Sequence, residues 1–374
     1  MQHVRTLVAV VICGLLAGPA GASATSTSQP GKLLRRASHL SGLPARRTVP
    51  TETLSPNRYD RLLARDVTRG YPTALQRTDS LLYARLGLVT RSVNAQTALP
   101  RAWYDISARR LLLRRMPVAG RSVVLNELVR ALIDQNYGLR RIVGLRARDR
   151  DRWLAARGIV DGTAALASGL RAGALRGTPL ERFRYLESHA ELGPGRQLAA
   201  QLRAIGGRVA VASALRTFPR TTEQLLHIDK FLEREPVLAV RLPARIGEMS
   251  LRTSETFGEL DVRNLLDAFA LPASGTTAEG WGGGRLALYS SGGEEMVAAL
   301  VLHWDSPEDA AEWRDSVPRY VAAAFPGAAK HDCPPLDRCW SGPGEVSAGV
   351  FGTTSVLASG PGSASLAAAL LTAG

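Results

Sequence analysis

Lysine is almost missing from this chain: Lys32, Lys230 and Lys330 stand against 44 arginines. An arginine excess of that size usually records a GC-rich genome before it records a ligand. The net charge of +14 therefore excludes an acidic, solvating protein but does not by itself mark a nucleic-acid binder. Aromatic residues, at 6%, are too sparse beside the arginines to suggest base-stacking platforms. Beyond the first 24 residues no stretch reaches about 18 apolar residues, which excludes a membrane-spanning helix from the mature chain. Ser nucleophile elbows and Cys/His pairs are also lacking. The glycine run Gly282-Gly283-Gly284 precedes a strand pattern, so it reads as a turn and not as a phosphate loop.

What is there is ordinary globular composition, 45% apolar and 21% charged, over 374 residues. That length suggests about two domains. Residues 1–24 read as an export signal: His3 and Arg5, an apolar run from Leu7 to Leu16, then Ala22-Ser23-Ala24 as a cleavage site. Cys13 is a poor lipid-attachment site, because Ile12 stands before it where a small residue is needed. Export leaves Cys333 and Cys339 around Pro334-Pro335, which favours a local disulfide over a metal site. Residues 25–55, rich in Ser, Thr, Pro and Arg, read as a flexible tether.

Helical periodicity dominates from residue 56 to 272, with helices expected at 59–67, 79–88, 122–135, 149–172, 196–217 and 222–233. Strand patterns follow at 286–290, 296–304 and 346–357, with helices after Ser306 and over 363–371. The charge divides at the same place: residues 25–272 carry +19 and residues 273–374 carry −6. The expected fold class is α+β, a mainly helical region followed by a smaller α/β region, 273–374. Leu111–Leu113 reads as an edge strand. The basic run Arg140, Arg141, Arg146, Arg148, Arg150, Arg152 and Arg157 reads as a solvated helix face, with docking to acidic envelope polymers, anionic lipid or nucleic acid as the functional alternative.

One segment carries more. After Tyr104-Asp105 and the Leu111–Leu113 run, the helix expected from Ser122 holds Asn126-Glu127-Leu128-Val129-Arg130, with Val124, Leu128, Ala131 and Leu132 as its apolar stripe. Downstream lie Asp161-Gly162-Thr163-Ala164 and the stretch from Pro219 through Thr222, Glu223, Gln224 and His227 to Phe231. In order and spacing these three segments resemble the HELxHALQDQ helix, EGDA box and STEQxLHP box of exported bacterial HExxH-type zinc metallopeptidase-like proteins. The resemblance implies a zincin-like, gluzincin-type fold for residues 56–272 and zinc as cofactor. It implies Glu127 as general base, Asp161 at the third-ligand position, and Tyr104, Glu223 and His227 beside the substrate cleft. Thr221 with Gln224 fits a helix cap, and a lone His227 also suits a packing role.

The departures decide the reading. Zinc in an HExxH helix is held by two imidazoles one turn apart. Here Asn126 and Arg130 occupy both positions: an amide is a poor ligand and a guanidinium repels the cation. The expectation is an inactive homologue with no cofactor, acting by binding a protein or peptide in the envelope or outside the cell. Arg130 is expected to bridge Glu127 and Asp161 where the metal would lie. The alternatives are an active zinc peptidase using Glu127, Asp161 and His227, or a surface-binding envelope protein working through its basic helical region.

Overall fold

The computed structural model describes residues 30–89, 100–171, 173–189, 191–292, 295–342 and 344–373. The expected export signal lies outside the described residues. The architecture is α+β, a helical N-terminal region and a C-terminal sheet of eight strands.

The first element corrects the tether. Residues Pro30–Ser41 form a helix, α1, because Leu33, Leu34, Ala37 and Leu40 recur at helical spacing and turn inward. Leu34 and Ala37 are buried against α4, which spans Arg121–Tyr137. Strand β1 (Thr51–Leu54) follows, then α2 (Pro56–Gly70) and α3 (Thr73–Arg85). Strands β2 (Ala102–Asp105) and β3 (Arg110–Arg114) complete a three-stranded sheet in the order β1-β3-β2. The strand expected at an edge is thus the central one, parallel to β1 and antiparallel to β2. Its reason is in its side chains: Leu111 and Leu112 point to opposite faces, and each joins a different apolar core.

Helix α4 runs beneath this sheet and is buried on almost every side; Leu128, Val129, Ala131, Leu132 and Ile133 are all essentially inaccessible. It packs on α5 (Arg150–Ser168), which begins at the capping side chain of Asp149. A single π turn, Glu191–Gly195, crosses α5 at very short range. A Cβ on Gly162 would lie 2.2 Å from the carbonyl carbon of Gly195, so the position requires glycine. Helices α6 (Pro179–Ser188), α7 (Arg196–Arg216), α8 (Thr222–Leu226) and α9 (Ile228–Glu233) close the helical region.

The large sheet begins earlier than the composition shift at 273. Its order is β4-β5-β6-β7-β11-β10-β9-β8, every pair antiparallel, from β4 (Arg245–Ile246) and β5 (Met249–Thr256) onward. After a register shift between Trp281 and Gly283, strand β6 (Trp281–Ser290) alternates with β7 (Val297–Trp304). Leu286, Leu288, Leu300 and Leu302 enter one core, while Ala287, Tyr289, Ala299 and Val301 enter the other. The first core is covered by α10 (Glu259–Ala268), α12 (Pro307–Ala324) and the α3 residues Leu82 and Tyr83. Helix α13 (Ser363–Ala373) covers the second; α11 (Ser274–Ala278) links α10 to β6. Strands β8 (Ala329–His331) and β9 (Arg338–Ser341) are joined by the Cys333–Cys339 disulfide loop, and β10 (Val346–Phe351) turns at Gly352 into β11 (Thr354–Ser359). Gly282–Gly284, expected as a turn, lies inside β6. Backbone crosses the strand there: a Cβ on Gly283 would meet the Leu238 carbonyl oxygen at 2.2 Å.

Candidate functional site

A cavity of about 240 Å³ opens between α2, the β2 end, α4 and α5. Leu63, Val67, Trp103, Ile106, Ile142 and Trp153 supply apolar walls, and Asn126, Glu127, Arg130, Arg157 and Asp161 supply charge and polarity. Helix geometry places the last group. On α4, Glu127 and Arg130 sit one turn apart; on α5, Arg157 and Asp161 do the same, and the two helices present these turns to each other.

Arg130 joins them. Its Nε lies 2.7 Å from Asp161 Oδ1, and its Nη1 donates to Glu127 Oε2 at 3.2 Å. Both carboxylates are buried, with 3% and 6% of their side chains exposed against 19% for Arg130. Glu127 takes two further donors: Oε2 accepts the Tyr104 backbone N–H at 2.8 Å and Oε1 accepts Asn126 Nδ2 at 3.2 Å. Asp161 Oδ2 accepts Arg157 Nε at 3.1 Å, and Arg157 Nη2 donates to the Ser188 carbonyl at 3.1 Å. A continuous polar chain therefore runs from β2 through α4 and α5 to α6. Tyr104 serves it through its main chain, while its hydroxyl donates to Asp134 at 2.8 Å and anchors the end of α4.

The donor set does not fit zinc. Asn126 offers an amide, and the Arg130 guanidinium stands between the two carboxylates that would have to ligate. Asp66, on the cavity wall, is pushed up to about 6, by burial and by the Asp105 charge. Trp153 is flanked by the guanidinium carbons of Arg146 and Arg157, 5.9 and 5.3 Å from its ring.

Glu223 and His227 stand elsewhere, away from the cavity lining. His227 Nε2 lies 2.8 Å from Glu259 Oε1, a hydrogen bond that raises the imidazole's pKa. Lys230 Nζ donates to Glu223 at 2.5 Å and to Asp305 at 2.8 Å, with Glu235 at 3.3 Å. Among the described residues those three carboxylates are the one group gathered closely enough to hold a cation, and the lysine ammonium sits among them. The Thr221 cap is present, its hydroxyl accepting the Gln224 N–H at 3.1 Å.

The basic run is neither a solvated face nor a continuous docking strip. Arg140, Arg141, Arg148 and Arg152 are exposed, whereas Arg146 and Arg150 are buried. Arg146 pairs with Asp79 and, at 2.9 Å, with Glu255; Arg150 pairs with Asp261 and, at 3.0 Å, with Glu187. Burial beside Glu255 pushes Asp79 up to about 7, while Arg146 opposes the shift. Burial pushes Asp261 up to about 6 against the pull of Arg150. The i, i+4 recurrence of 146 and 150 was the available signal; their partners come from far along the chain.

Residues 245–369 match a domain of unknown function, DUF8575. No curated protein and no solved structure matches the chain. The matched span holds all eight strands of the large sheet, and every residue lining the cavity precedes it. Glu255 and Asp261 lie inside it, so the two buried arginines tie the cavity-bearing helices to that domain.

Proposed function

We propose that the chain is an exported, catalytically inactive metallopeptidase homologue that acts by binding a peptide or protein segment in its cavity. One observation carries the reading: the Arg130 guanidinium occupies the space between Glu127 and Asp161, the two carboxylates nearest to where the resembled family places zinc. A general base of this type works on metal-bound water, and Glu127 already accepts three donors, two of them on Oε2. A cavity remains, with tryptophan and aliphatic walls around a charged floor, which suits an extended peptide bearing both apolar and polar side chains. The Cys333–Cys339 disulfide supports export.

The test is metal content of wild type and of the double variant Asn126→His/Arg130→His after dialysis. Wild type is expected to hold no zinc and to cleave no peptide library. The double variant is expected to bind about one Zn²⁺, because it restores two imidazoles one helical turn apart beside Asp161. Stoichiometric zinc in wild type, with chelator-sensitive cleavage, would overturn the proposal.

A further inference from the structure

Residues 30–51 carry five cations and not one carboxylate, and the same is true of residues 196–222. The fold brings these two stretches together. The turn after α1 lies against α7 so closely that a Cβ on Gly42 would sit 2.5 Å from Arg208 Nε. A cleft of about 280 Å³ is lined from both, by Leu40, Leu43, Arg203, Arg208, Val211 and Arg216 among others. It shares no residue with the cavity above.

Helix α7 breaks at Gly206-Gly207, where Gly207 takes a positive φ of 60°. The whole corner, residues 203–209, is exposed, and it displays two aliphatic side chains: Ile205 at 61% and Val209 at 76%. Arg203 and Arg208 stand beside them. Aliphatic side chains on an exposed helix corner gain nothing from water, and cations gathered without carboxylates seek an anionic surface. One surface satisfies both, an interface with negative headgroups above hydrocarbon. An acidic polymer in water would engage the arginines but leave Ile205 and Val209 without purpose.

We propose that this face docks the protein on an anionic lipid bilayer. Ile205 and Val209 enter the headgroup layer, while Arg203 and Arg208 beside them meet the lipid phosphates.

Flotation of the full chain with vesicles tests it, using phosphatidylcholine alone and phosphatidylcholine with about 30% phosphatidylglycerol. Binding is expected to be at least about tenfold tighter on the anionic vesicles and to weaken steeply with salt. Ile205→Asp/Val209→Asp is expected to lose about tenfold or more at an unchanged melting temperature, since both positions are exposed. Ile205→Trp is expected to shift its emission to the blue when anionic vesicles are added. Equal binding to both vesicle types, or no binding to either, overturns the proposal. So does retention of anionic-vesicle binding by the aspartate variant together with equal capture on polyglutamate beads, which would assign the face to acidic polymers.

Discussion

Removing the Arg130 guanidinium should leave the Glu127 and Asp161 carboxylates facing each other across a cavity wall with no cation between them. Truncating one partner of a buried ion pair costs about 3–5 kcal/mol. The low end applies here. Arg157 still holds Asp161, the Tyr104 N–H still holds Glu127, and the cavity admits water. The expected loss for Arg130→Ala is therefore about 3 kcal/mol. Unfolding entropy near 2.1 cal/mol/K per residue over 374 residues gives about 0.8 kcal/mol/K, so the melting temperature should fall by about 4 °C. Arg130→Lys keeps the charge but not the fork that reaches both carboxylates, and should fall between wild type and alanine. Glu127→Gln/Arg130→Ala removes one of the stranded charges and should recover part of the loss. Calorimetry of the four proteins decides it. A melting temperature for Arg130→Ala within about 1 °C of wild type would show that the guanidinium contributes nothing to stability. Equally damaging would be a double variant no more stable than the single one.

Arg150 has no exposed side chain and stands between Glu187 and Asp261, so Arg150→Met should cost about 4–5 kcal/mol. An unchanged urea midpoint would show that the pairing contributes nothing. Asp66 contributes stability that is complete below its unfolded value near 3.8 and is lost as pH rises through about 6, because its folded pKa is raised. Asp66→Asn should then stabilise at pH 7.5 by about 1–2 kcal/mol, discounted for a side chain nearly a third exposed, and by almost nothing at pH 4. Parallel stability–pH curves for the two proteins would contradict that.

How far the sequence could be read depended on how local each decision was. The Arg130 bridge was legible because helix geometry fixes where residues three and four apart point, and because a motif placed Asp161 opposite. The central position of β3 was equally written in its residues: three consecutive leucines are what a strand covered on both faces requires, and the flanking arginines concealed it. Helix α1 was hidden in the same way, since Ser, Pro and Arg around Leu33, Leu34, Ala37 and Leu40 masked a regular apolar face. The partners of Arg146 and Arg150 were not legible by any local rule. Asp79 and Glu255 lie 67 and 109 residues from Arg146, and tertiary folding alone brings them to it.

That long-range pairing also alters what the net charge means. Between residues 25 and 272 there are 41 cations and 22 carboxylates. Among the described residues ten of those carboxylates are buried, against three of the arginines, Arg146, Arg150 and Arg184. The interior guanidiniums of Arg146 and Arg150 each hold two carboxylates, and the Arg130 guanidinium and Lys230 ammonium reach inward from the boundary. A larger share of the carboxylates than of the arginines is therefore withdrawn from the surface. The pairing leaves the formal +19 of the helical region unchanged, but its cations gather where the sequence offers no carboxylate, along α1 and the broken helix α7. The stretches 30–51 and 196–222, which meet at the face carrying Ile205 and Val209, contribute cations and no carboxylate, so no ion pair within them offsets its charge.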